Sequence, residues 1–225
     1  MSQNPFDPES PDELPAQLPI FPLTGATLLP GTQLPLNVFE PRYLSMVLDA
    51  LGDDRYIGMV QPDPSRSEEE PVPTYEVGCA GRIVAFNETP DGRLLISLQG
   101  VCRFRLSSEL PLLRGYRRVE ADWEPFGRDL VADARFQLDR ESMREALSQY
   151  LEINGIRVDW DALDKMPDNR VVDFLSMHLP LEPEEKQALL EAPDTGTRAT
   201  TLVTAAQMAV RTNREGGVEG GSTRH

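Results

Sequence analysis

The sequence predicts an α+β protein, in which a β-rich part carrying one inserted helix is followed by an α-helical bundle. Three observations lead to this reading. Short apolar runs broken by turn residues fill the chain from Leu18 to Trp123. Beyond about Ala134 the apolar period changes to 3.6. The composition includes 20 Pro and 16 Gly, which fits many turns and irregular connections. A chain of 225 residues buries roughly 70% of its unfolded surface, so a true core is expected.

Residues 1–17 read as a disordered leader, because Ser2 to Gln17 is polar, acidic and Pro-rich and offers little apolar surface to offset ordering entropy. Asp7, Glu9, Asp12 and Glu13 stand there without Lys or Arg, which excludes a positively led signal or transit sequence. No apolar run approaches the ~20 residues needed to span a bilayer. A cytoplasmic protein with no membrane partner is therefore expected.

The β-rich part is expected over 18–125. Its turns fall at Pro30-Gly31, Pro62-Asp63-Pro64 and Pro90-Asp91-Gly92. Arg82 to Phe86 and Leu94 to Leu98 flank the Asp-Gly pair and read as a hairpin with a loop longer than two residues. Leu94, Ile96 and Leu98 fall on one strand face, and in Arg103 to Leu106 the alternation turns Phe104 and Leu106 inward and Arg103 and Arg105 outward. One helix interrupts the strands: Pro41 suits a first helical position, and Tyr43, Met46, Val47 and Ala50 recur at i, i+3, i+4 and i+7. The polar stretch Pro62 to Pro73, with Ser65, Ser67 and Glu68 to Glu70, reads as a solvated excursion that could also border a groove.

Phe126 to Ala134 reads as a connection to a helical part over 135–212. Met143, Ala146, Leu147, Tyr150 and Leu151 share one face of a long helix. Asp168 is the expected N-cap of a second, which carries Val171, Val172, Leu175 and Leu179 and is stopped by Pro180. Pro183 with Glu184 and Glu185 starts another, since Pro fits the first turn and acidic groups suit its positive dipole end. A last helix presents Ala199, Leu202, Val203, Ala206 and Ala209 or Val210, and residues 213–225 read as a flexible tail.

The net charge of −15 opposes phosphate backbones and favours solubility. It is unevenly spread: between Cys79 and Arg118 seven arginines (82, 93, 103, 105, 114, 117 and 118) face Glu88, Asp91 and Glu109. The cysteines, Cys79 and Cys102, read as small buried thiols rather than a redox pair.

Three stretches resemble the Lon protease N-terminal substrate-binding domain family. The first runs from Leu18-Pro19-Ile20-Phe21-Pro22-Leu23 through Leu29-Pro30-Gly31 and Leu34-Pro35-Leu36 to Val38-Phe39-Glu40-Pro41-Arg42-Tyr43. The second is Tyr75-Glu76-Val77-Gly78 with Ile83, Asp91-Gly92-Arg93 and Leu98 to Phe104, and the third is Glu184 to Glu191 followed by Arg198. Together they span about Leu18 to Arg211 in matching order. The resemblance implies a PUA-like β pseudobarrel with the inserted helix, followed by the C-terminal bundle. It also implies a stand-alone Lon-domain protein that engages polypeptide, a role that full-length Lon proteases supplement with an ATPase and a Ser-Lys peptidase.

Catalytic constellations are not visible. The sequence holds no G-x-x-x-x-G-K-[ST] phosphate loop. Its only lysines, Lys165 and Lys186, fall in expected structural helices without sign of the desolvated setting a catalytic lysine needs. With His178 near a helix end, His225 at the terminus and two cysteines, neither a zinc set nor a Cys-His dyad can be built locally. His178 reads as a helix-end residue facing the negative dipole end. No enzyme activity, cofactor or metal is expected.

The residues singled out for polypeptide binding are Phe39, Glu40, Arg42, Tyr43, Arg103 and Arg105. Structural roles compete for each of them: Pro41 starts the helix, Tyr43 belongs to its apolar stripe, Phe39 could staple onto it, and Glu40 with Arg42 could tie loop to barrel. The leading function is recognition of exposed or unfolded polypeptide segments, in cooperation with a separate protease or chaperone. The alternative is a PUA-like RNA-binding or small-ligand-binding module, against which the overall acidity counts.

Overall fold

The computed structural model describes residues 8–131 and 136–219. The chain divides into two compact units, residues 1–132 and 133–225.

The first unit holds six strands and one long helix: β1 (Gln17–Pro22), β2 (Gln33–Val38), α1 (Pro41–Leu51), β3 (Tyr56–Val60), β4 (Val77–Glu88), β5 (Leu94–Leu113) and β6 (Tyr116–Asp122). The strand order is β2-β5-β4-β3-β1-β6, and β6 also pairs with β5. Five strands thus close a ring, and β2 lies outside it on the first half of β5. Among the described residues, β1 and β3 form the one parallel pair. The two expected strand segments, Leu94 to Leu98 and Arg103 to Leu106, are parts of one 20-residue strand. Register shifts at Ala80/Gly81 and Leu106/Ser108 let that strand serve β4 along one stretch and β6 along the next. Gly92, at φ 80°, permits the turn of the β4–β5 hairpin, where Thr89 and Arg93 close the loop through Thr89 N–H to Arg93 O (3.0 Å).

Leu18, Ile20, Phe104 and Val119 are wholly buried in the ring, with Trp123 packed on Phe104 at a centroid separation of 5.6 Å. Residues 8–17, expected to be a disordered leader, are instead placed. Leu14 is buried in this core and Trp123 Nε1 donates to Pro15 O at 3.1 Å. The buried side chain of Leu14, the indole bond and a main-chain bond from Ala121 N–H to Ala16 O (3.0 Å) supply the anchorage that the composition of the segment does not announce. Residues 1–7 lie outside the described residues. α1 follows the expected pattern, with Pro41 first and Tyr43, Met46, Val47 and Ala50 buried.

The expected connection after Phe126 is also more than a tether. Glu124–Leu130 forms a 3-10 helix whose Phe126 and Leu130 pack against the ring core, and residues 132–135 lie outside the described residues.

The second unit comprises α2 (Arg140–Ile153), α3 (Trp160–Leu163), α4 (Asp168–His178), α5 (Pro183–Glu191) and α6 (Thr195–Glu219). Asp139 caps α2 by accepting from Ser142 N–H at 3.0 Å. Asp168 is not the N-cap of α4. Pro167 holds that position, and the Asp168 carboxylate accepts from Leu138 N–H (2.9 Å) and Arg140 Nε (2.8 Å). Arg140 also donates to Leu163 O and Met166 O, so one guanidinium joins the starts of α2 and α4 to the end of α3. Arg198 and Asp173, both almost fully buried, pair at 2.8 Å. Leu147, Val172, Leu189, Leu202 and Ala206 are wholly buried among the helices. The expected tail begins as helix, because α6 continues to Glu219; residues 220–225 lie outside the described residues. Among the described residues no helix is long and apolar enough to cross a membrane.

Candidate functional site

The entrance to α1 decides which of the singled-out residues can meet a partner. Pro41 starts the helix because its fixed φ and missing N–H suit the first turn, which leaves Phe39 and Glu40 in extended backbone just before it. Phe39 is not a staple: it is 60% exposed, with the Arg93 guanidinium over its ring at 5.7 Å from the centroid. Glu40 and Arg42 pair with each other at 2.9 Å, with both side chains about half exposed. Their pairing is local and does not tie the loop to the ring. Arg42 then lies over the Tyr43 ring at 4.5 Å. Tyr43 itself turns inward, its ring tilted against Phe21 at a centroid separation of 4.2 Å, and burial pushes its phenol above the ordinary value. Phe39, Glu40 and Arg42 therefore form the accessible group, and Tyr43 supports it from beneath.

Arg103 departs from expectation. Alternation predicts it outward beside Arg105, yet the run Gly100 to Phe104 is buried throughout. The irregularity at Ala80/Gly81 breaks the alternation, and the Glu124–Leu130 segment covers what would have been the outer face. Asp129 answers three donors of Arg103: its Oδ2 accepts from the Arg103 backbone N–H (3.0 Å) and Nε (2.8 Å), and its Oδ1 from Nη2 (2.8 Å). Phe126 stacks on the guanidinium at 4.9 Å. Arg105 is exposed, as expected, on the same strand.

Ion pairs also account for other arginines of the cationic stretch. Arg93 pairs with Asp91, Arg114 with Asp49 and Arg117 with Glu109. Asp49 of α1 additionally accepts from the Tyr116 hydroxyl at 3.0 Å, so the helix is fastened to the β5–β6 turn. A shallow cleft of about 180 Å³ lies beside that fastening, lined by Asp49, Asp53, Arg55, Tyr56, Tyr116 and Arg118.

Both thiols are buried, and desolvation with the Asp129 carboxylate nearby pushes Cys102 up to about 12. That setting suits packing rather than nucleophilic chemistry. Lys186 corrects one expectation, because its setting is desolvated: the side chain is buried and burial lowers its pKa. Its ammonium donates to Met177 O at the end of α4, which is a helix-capping contact. His178 sits in the last turn of α4, with Nδ1 2.8 Å from Phe174 O. No group of metal-ligating side chains is found among the described residues.

Sequence reasoning passed over a second exposed apolar group. Val84 and Phe86 on β4 and Leu95 on β5 are all solvent-exposed. The available signal was the run Ile83-Val84-Ala85-Phe86, whose lack of polar alternation gives a strand two apolar faces.

Comparison with known proteins gives the family. The model of the ATP-dependent protease La (LON) substrate-binding domain matches residues 17–205, and the chain belongs to that family. The Lon protease of Cytophaga hutchinsonii is 29% identical over 197 residues, covering 85% of this chain and 24% of that protein. Lon protease 2 of Sorangium cellulosum is 31% identical over 203 residues, covering 87% and 25%. The chain thus spans about a quarter of the length of the proteases it matches. Among solved structures, a Lon N-terminal domain protein from Xanthomonas campestris aligns with a TM-score of 0.59 at 27% identity, covering 84% of this chain and 97% of that one. The N-terminal domain of Mycobacterium avium complex Lon protease shares the fold, with a TM-score of 0.57 at 15% identity over 85% and 98%.

Proposed function

We propose that this chain is a non-catalytic recognition module that binds exposed or unfolded polypeptide segments and presents them to a separate protease or chaperone in the cytoplasm. In this reading the five-strand ring is a PUA-like pseudobarrel and the second unit is the bundle that completes the family's longer form. The carrying observation is Phe39: a large aromatic side chain at a helix entrance, mostly exposed, where the same residue tucked against α1 would gain burial. An exposed aromatic flanked by a charged pair is suited to apolar side chains that a folded client would hide. Family membership supports the same role. Arg105 and Arg42, the latter already shared with Glu40, lie at the surface within reach of a client's carboxylates, and Arg103 contributes by holding the strand through Asp129.

Nucleic acid fits this surface poorly. Phosphate binding rests on available cations, and Arg93, Arg103, Arg114 and Arg117 are engaged by carboxylates on a chain of net charge −15.

The test is binding of reduced, carboxamidomethylated lysozyme to the immobilised protein, with peptide cleavage followed in the same samples. Binding without cleavage is expected. A Phe39→Ala, Arg42→Ala variant should lose affinity by about thirtyfold or more, the least that a hot-spot residue supplies. No binding by the unaltered protein, or turnover of the polypeptide, overturns the reading.

A further inference from the structure

The ring leaves two strand edges open, and they are built differently. β2 is paired on one side only, with β5, in the register Leu34↔Leu98, Leu36↔Ile96 and Val38↔Leu94. Gly100, two residues beyond Leu98, exchanges bonds with Thr32 O and Gly31 N–H, so the main-chain groups of Leu98, Ile96 and Leu94 face β2. The outward main-chain positions of β2 are then Gln33, Pro35 and Asn37. Pro35 has no N–H to offer, and a proline in such a place blunts an edge against added strands.

The other open edge is the last part of β4. β3 reaches only as far as Tyr56↔Arg82, and Ile83 N–H donates to Arg55 O at 2.8 Å as the last bond on that side. By the same alternation, Ala85 and Asn87 turn their main-chain groups toward Ser97 and Leu95 of β5, and Thr89 continues the series with Arg93. Phe86 and Glu88 therefore turn their N–H and C=O groups away from the sheet. Among the described residues none bonds them. All five residues from Val84 to Glu88 are exposed, with no proline among them.

We propose that this edge, Val84 to Glu88, is where an extended polypeptide segment adds as a further strand. The inference rests on the recognition role above and specifies its mode: main-chain pairing at Phe86 and Glu88, with an apolar side chain of the client laid beside Phe86. Phe86 stands opposite Ile96, which is buried at 3% exposure, while Phe86 is 56% exposed. The apolar surface thus runs from the core to the rim and ends there uncovered, where a client residue continues it. The occupant is a client rather than a second copy of this chain, because each copy carries a net charge of −15 and two such chains repel. A client segment with basic residues among the apolar ones suits the Glu88 end.

The experiment uses the unaltered protein and a nine-residue peptide of alternating Val and Lys. Two further peptides carry N-methyl groups on alternate amides, one on the odd residues and one on the even. Strand addition requires that one methylated peptide lose affinity by about tenfold or more, the worth of two or three main-chain bonds, while the other keeps most of it. Amide signals of Phe86 and Glu88 should shift on binding. In the protein, Glu88→Pro removes an outward donor without touching the β5 ladder and should weaken the parent peptide to a similar degree. Equal affinity for all three peptides overturns the proposal, as does self-association that competes with the peptide. If reduced lysozyme still binds through Phe39 and Arg42 while the methylated peptides are indistinguishable, strand addition fails and the recognition role stands. If neither lysozyme nor peptide binds, both fail.

Discussion

The Arg103–Asp129 pair predicts a large and separable loss on substitution. Both side chains are under a tenth exposed, at 6% and 9%, and the carboxylate answers three donors, one of them the backbone N–H of Arg103 itself. Asp129→Ala breaks a buried ion pair and removes the acceptor of three bonds from Arg103, which costs about 3–5 kcal/mol. For a domain whose whole stability is about 5–15 kcal/mol, that is a substantial share. At a urea dependence of about 2 kcal/mol per molar, the unfolding midpoint should fall by roughly 1.5–2.5 M. The chain has two tryptophans, Trp123 in the first unit and Trp160 in the second, so a Trp160→Phe background lets fluorescence report the first unit alone. The joint change Arg103→Met, Asp129→Leu should recover most of the loss, since apolar replacement of a whole buried pair is often neutral or stabilising. A loss below about 1 kcal/mol in Asp129→Ala, the range of an exposed pair, would refute the account of the Glu124–Leu130 segment as a clasp on β5.

Two further outcomes follow from the same kind of packing. The Leu138 amide, and then Arg140, hold the Asp168 carboxyl below its ordinary value. A depressed carboxyl stabilises the fold above its unfolded pKa and loses that contribution as pH falls through the folded one. The second unit, followed by Trp160, should weaken as pH drops below about 4, and Asp168→Asn should be less stable at neutral pH but flatter in that acid range; an unchanged acid slope would count against the contact. Gly100→Ala should destabilise the first unit by about 1–3 kcal/mol or more, because its Cβ would lie 2.1 Å from Leu29 O, a backbone atom that cannot swing aside. A urea midpoint equal to that of the unaltered protein would show that this approach is looser than drawn.

Much of the architecture was legible because local chemistry and tertiary packing agree. Pro41 and the 3.6-residue stripe of Tyr43, Met46, Val47 and Ala50 specify α1 without help from the rest of the chain. The Asp91-Gly92 turn likewise marks the β4–β5 hairpin, with Gly92 at positive φ. What escaped lies where distant segments override periodicity. Arg103 reads as outward until a 3-10 helix more than twenty residues later covers it with Asp129 and Phe126. Leu14 reads as leader because nothing near it in sequence predicts the buried Trp123 that anchors its segment. At the candidate site, the alternatives for Phe39 differed only in a side-chain direction, which sequence does not encode; the strand edge at Phe86 depends on where β3 starts, a tertiary fact.

The closure of the ring has a consequence for biosynthesis. β1 pairs with β6 through Gln17↔Glu120, and these partners are separated by 120 − 17 = 103 positions. At translation rates of about 5–20 residues per second, the first strand waits on the order of 5–20 s for its final neighbour to be made. During that interval β1 has the parallel ladder with β3 on one side and no strand on the other. The nascent first unit therefore remains an open, apolar-rimmed sheet until the ribosome has passed Asp122, and any factor that attends it at the exit tunnel meets the β1 rim before the ring has sealed.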